Sequence, residues 1–159
     1  MMYGNVINRL SEGKQYGDIK VGTDITMYLW SDRNCYYVTD VIDDKHIKVR
    51  EYIVIADHDE ACGMGHQNWL YFKTGEDANK YLSSRFDTLR MIDYETPQEE
   101  TWAFRYGKWW RDYEYTEEKD WFSDKERAKI QNGKTVHEYS ELSGKVSFGV
   151  RDYYYDWEF

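Results

Sequence analysis

The sequence predicts an α+β fold dominated by antiparallel sheet, an SH3-like barrel or curled meander with two or three short helices. Three observations predict it. Apolar residues alternate with period two through successive runs, turn-forming residues separate those runs at short intervals, and helical spacing is confined to brief stretches. At 159 residues the chain fits one domain, 1–159, with enough length to bury a core.

Val6, Ile7 and Leu10 have helical spacing and predict a brief N-terminal helix. From Asp24 to Trp30 the residues Ile25, Met27 and Leu29 alternate, giving a strand that ends at the turn residues 31–34. Residues 35–42 are β-branched and aromatic, Asp43-Asp44 makes the next turn, and residues 46–55 give a third strand. A glycine-bearing loop, 57–66, precedes a strand over 67–73. Thr74, with Asp77 three residues on, caps a helix over 75–85, whose Ala78, Tyr81, Leu82 and Phe86 share one face. After a polar connector around Pro97, residues 101–115 read as a hairpin turning at Gly107-Lys108. Ser123 and Glu126 have capping-box spacing, so 124–132 is a short helix stopped by Asn132-Gly133. A last strand runs from Lys145 to the C-terminus.

Composition narrows the function classes. No apolar run approaches the ~18 residues needed to cross a bilayer, and the first residues lack the apolar core of a signal peptide. Cys35 and Cys62 make no disulfide framework and read as reduced thiols, Cys35 as a small buried hydrophobe. The net charge of −9 sets the chain against direct nucleic-acid binding. Aromatics reach 18%, with 16 Tyr and 7 Trp, so many of them must fill the core while others are available as contact residues.

Chemistry-bearing motifs are weak. Loop 57–66 carries Asp57, His58, Asp59, Glu60, Cys62 and His66, all possible metal ligands, but in no metal-binding spacing and without the acidic ladder of a calcium loop. A solvated polar loop is the expectation there, with no metal and no cofactor. The four histidines are scattered, no nucleophile elbow or phosphate-binding glycine loop occurs, and neither cysteine has a catalytic context. No catalytic residue is assigned, and the chain is not expected to be an enzyme.

Charge distribution is more informative. Segment 93–126 holds eleven carboxylates against five bases, together with Trp102, Trp109, Trp110 and Trp121. Aromatic anchors within a negative field suit a surface that docks a basic protein. The expected contact residues are Trp109, Trp110, Asp112, Glu114, Glu117, Glu118 and Asp120. The alternative is a solvated face that only keeps a small protein soluble.

Several stretches resemble a small protein family carried by phages and plasmids of Gram-positive bacteria. They are Ser31-Asp32-Arg33, Val38-Thr39-Asp40-Val41, Ile47-Lys48-Val49, Gly63-Met64, Gln67-Asn68-Trp69-Leu70-Tyr71 and Phe104-Arg105-Tyr106-Gly107-Lys108-Trp109. The tail 149–159 resembles that family's G-x-R-x-x-Y-Y-D-x-x-F ending and reads as a strand whose aromatics pack across a sheet. The match covers about two-thirds of the chain in patches and departs at 75–100 and 112–132. Small acidic phage proteins of this kind resemble anti-CRISPR proteins, including staphylococcal inhibitors of type II-A Cas9. The resemblance implies the cytoplasm of a bacterial host and a partner that is Cas9 or its guide RNA complex. It also implies that cleavage is blocked, most simply by restraint of the HNH nuclease domain, with 93–126 as an acidic, aromatic-rich insertion that forms the binding surface. The alternatives are a phage accessory domain with a structural or regulatory role, and a partial DNA mimic that competes for the PAM or target DNA.

Overall fold

Alternating apolar residues in strands too short to stand alone must bury one face against each other, and here they do so by rolling up a sheet. The computed structural model describes residues 19–57, 68–85 and 93–155. In order they form β1 (Asp24–Tyr28), β2 (Arg33–Asp43), β3 (His46–Glu51), β4 (Ile53–Ala56), β5 (Trp69–Phe72), α1 (Gly75–Arg85), β6 (Glu100–Arg105), β7 (Lys108–Tyr115), α2 (Asp124–Gln131), β8 (Val136–Glu141) and β9 (Lys145–Phe148). The architecture is α+β and antiparallel β-rich, with two short helices among the described residues. Neither helix is long and apolar enough to cross a membrane.

Seven strands make one antiparallel sheet in the order β8-β7-β6-β3-β2-β1-β9. Its two end strands are consecutive in the chain and joined by only residues 142–144. A link of that length spans about 14 Å at full extension. The sheet therefore curls until its ends meet, and β8 and β9 act as one bent strand that pairs first with β7 and then with β1. Gly144 sits at the bend, where an added Cβ would lie 2.0 Å from the Tyr28 carbonyl oxygen. The interior is filled by Ile25, Met27, Tyr36, Val38, Ile47, Val49, Trp102, Trp109, Val146 and Phe148.

A second layer covers the outer face of β1 and β2. This explains why Cys35, Tyr36, Tyr37 and Val38 are all buried in succession. The third predicted strand is broken at Tyr52, whose N–H still bonds the Cys35 carbonyl. Beyond it β4 leaves the barrel and pairs with β5. Tyr52 packs with Cys35 and Tyr37, whereas Ile53 and Ile55 pack with Ala78 of α1. The expected cap is present, with Thr74 Oγ1 accepting from the Asp77 N–H. Asn79 then holds the backbone of Tyr94 through both its amide groups.

The tail departs from the expected strand. β9 stops at Phe148, Gly149 turns the chain with a φ of 86°, and residues 150–155 strap the second layer onto the first. Thr26 Oγ1 donates to the Val150 carbonyl and accepts from the Asp152 N–H. Arg33 and Tyr154 exchange both backbone hydrogen bonds. The Arg151 guanidinium lies 4.3 Å from the Tyr71 ring centroid and 5.4 Å from that of Tyr52. Residues 156–159, the predicted N-terminal helix and loop 58–66 lie outside the described residues.

Of segment 93–126, residues 100–115 supply two strands in the body of the sheet, between β3 and β8. The projecting part is 116–123 with α2, whose capping box joins Ser123 and Glu126 as expected. β8, which the sequence reading missed, lies beyond it. The hairpin turns at Tyr106-Gly107, one residue earlier than predicted, with φ values of 54° and 79°. Left-handed backbone costs an ordinary L-residue about 1–2 kcal/mol, and asparagine tolerates it better.

Two substitutions should act in opposite directions in thermal unfolding. Gly144→Ala should destabilise by about 1–3 kcal/mol through its clash with backbone. Tyr106→Asn should stabilise by about 0.5–1 kcal/mol, raising Tm by a few degrees. A neutral Gly144→Ala would contradict the tight bend that closes the sheet.

Candidate docking surface

Strand pleating splits the predicted contact residues of β7 between two faces. Trp109, Arg111 and Tyr113 point to the barrel side, and Trp110, Asp112 and Glu114 to the outer side. Trp109 is a core residue, 8% exposed, with its ring packed on Phe104 and Phe148. It is removed from the contact surface because its period-two neighbours lead into the interior. Asp112 is also removed. It is 8% exposed, and its Oδ1 lies 2.7 Å from Nδ1 of His137, whose Nε2 is 3.3 Å from Thr135 Oγ1. This hydrogen-bonded row fixes the His137 ring nearly parallel to Tyr139 on β8. Trp110 is half-buried, and its indole N–H donates to the Arg105 carbonyl.

Glu114, Glu117, Glu118 and Asp120 are exposed at the end of β7 and along the segment that follows. Glu118 lies 3.7 Å from Arg127 of α2, which also donates to the Asp120 carbonyl and so shapes the loop. Glu114, Glu117 and the Asp120 carboxylate have no cationic partner among the described residues. Outside the predicted set, Trp121, the residue after Asp120, is 63% exposed, while Tyr113, on the other side of the strand from Glu114, is 47% exposed. The adjacent Phe122 is buried and meets Tyr115 at 5.6 Å, so one ring of the Trp121-Phe122 pair anchors the loop while the other is displayed. Adjacent aromatics with opposite fates look alike in sequence, because burial depends on what the loop rests upon.

Inside the rolled sheet, Tyr36, Glu51, Glu100 and Arg111 form a polar layer in adjoining strands. Arg111 Nε holds Glu100 Oε1 at 2.5 Å. Burial, then the neighbouring Glu100 charge, pushes the Glu51 carboxyl above its ordinary value, against the opposing pull of Arg111. Burial and the same two carboxylates push Tyr36 up to about 12. Elsewhere, burial raises the Cys35 thiol to about 11, which keeps it a neutral packing group, as read from sequence. Among the described residues no three His, Cys, Asp or Glu side chains gather as a metal site. Of loop 57–66 only Asp57 is described, and its N–H bonds the Asn68 carbonyl.

The raised Glu51 has a defined consequence. A carboxyl that holds its proton more tightly in the folded state lowers stability as pH rises through its titration. Glu51→Gln should therefore raise Tm at pH 7, and the advantage should vanish below the ordinary carboxylate range, about pH 4. A Tm difference independent of pH would show that Glu51 carries no such strain. Comparison with protein-family models, with curated proteins and with solved structures finds no match to this chain.

Proposed function

We propose that this chain is a binding protein of the anti-CRISPR kind, which docks on Cas9 or its guide RNA complex in the bacterial cytoplasm and blocks DNA cleavage. The observation that carries the reading is the run of unneutralised carboxylates Glu114, Glu117 and Asp120 that leads to the exposed ring of Trp121. A carboxylate run steers a basic partner and rejects an acidic one, while an exposed indole ring supplies burial energy once contact is made. The surface is smaller than the sequence expectation, since Trp109 and Asp112 serve the fold. A compact surface suits the clamping of one mobile element better than imitation of a DNA duplex, which needs regularly spaced charges over a long face. Restraint of the HNH nuclease domain fits that scale, because Cas9 must move this domain into place before it cuts.

The test is capture of purified Cas9–guide complex by the full chain, paired with a DNA cleavage assay. Glu114→Lys, Glu117→Lys and Asp120→Lys combined should weaken capture at least about tenfold, or ~1.4 kcal/mol, and relieve inhibition with an unchanged Tm. Trp121→Ala should do the same. Absence of any capture or inhibition by the unaltered chain would favour a phage accessory role instead.

A further inference from the structure

We propose a second surface with its own ligand: the outer face of β6, β7 and β8 beside the Tyr106-Gly107 turn binds single-stranded nucleic acid. The pleat brings Arg105 from β6, Lys108 and Trp110 from β7, and Tyr139 from β8 onto this face. The Arg105 guanidinium lies 4.1 Å from the Tyr139 ring centroid and 5.4 Å from that of Tyr106. No carboxylate pairs with it among the described residues. Lys108 stands 4.4 Å over the Trp110 ring and shares its charge with Glu141.

Tyr106 is the second, independent observation. Its ring is 86% exposed and its backbone is left-handed. The turn would form more readily with asparagine or glycine there, and an exposed ring adds little to the core. A displayed ring beside a guanidinium without a carboxylate partner matches the chemistry of an unstacked base and its phosphate. The base stacks on the ring, and the phosphate meets Arg105. An acidic peptide would engage Arg105 and leave the rings unused.

The net charge of −9 opposes such binding most where its carboxylates lie on the same face. There Glu141 is paired with Lys108 and Asp112 is held by His137, while Arg105 has no carboxylate partner among the described residues. The acidic loop begins at the far end of β7, about 23 Å from Lys108 at ~3.3 Å per residue. That is more than two Debye lengths at about 0.1 M salt. This proposal rests on a different face from the Cas9 reading, so either can fail alone.

The experiment is fluorescence anisotropy of a labelled oligothymidylate titrated with the full chain, at a low salt of about 0.1 M and at about 0.3 M salt. Binding should appear at low salt and weaken as salt rises. Arg105→Gln and Tyr106→Ala should each weaken it roughly five- to tenfold. Tyr106→Asn should weaken binding while its Tm rises, a pairing that unfolding cannot produce. Three results would overturn the proposal: no binding at low salt, undiminished affinity in all these variants, or displacement by polyglutamate as effective as by unlabelled oligonucleotide at equal charge.

Discussion

The three-residue connection between β8 and β9 governs this molecule. Two strands at opposite ends of a seven-stranded sheet cannot be neighbours in the chain unless the sheet rolls through a full turn. Rolling turns one face of every strand inward. It therefore sets which residue of each adjacent pair is buried, and the rest of the structure follows. The bend needs close backbone approach, and Gly144 beside the Tyr28 carbonyl provides it. Closure also removes most of the exposed strand edge that an open sheet would offer for aggregation.

With the inner face committed, the outer face of β1 and β2 would leave Cys35 and Tyr37 in water. The strap of residues 150–155 prevents this by fastening β4 and β5 over them. Its anchors are polar. Thr26 serves as both donor and acceptor, and Arg33 and Arg151 pair with an acid or with rings. Tail residues that stood out for their motif are thus explained by fastening two layers together. A hydroxyl that both donates and accepts within a buried seam satisfies two backbone groups that would otherwise each cost about 1–3 kcal/mol.

β7 links fold to proposed function. Its inward residues complete the core with Trp109 and the polar layer with Arg111. Its outward residues grade from Lys108 near the turn to Glu114 near the acidic loop. One strand separates charges of opposite sign by its length, so its two ends differ in electrostatic character. The polar layer inside serves neither surface directly. It sets a pH dependence on stability instead, because burial first and then the neighbouring Glu100 charge raise the Glu51 carboxyl.

Local chemistry determined much of the element list. Alternation gave β1, β-branched and aromatic content gave β2, the Thr74 and Ser123 caps gave both helices, and the burial of Cys35 followed from its apolar run. These signals are short-range, since a cap or an alternation involves residues a few positions apart. Tertiary structure decided the rest. β8, with Val136 as its only buried residue, carries too little pattern to read alone and exists because β7 offers it a partner. The break at Tyr52 and the departure of the tail depend on a second layer contributed by residues distant in sequence. The candidate site followed the same division. The sequence located the acidic, tryptophan-rich stretch, but only the rolled sheet sent Trp109 inward and left Trp121 outside, because the side a residue faces is set by the register of its strand against distant partners.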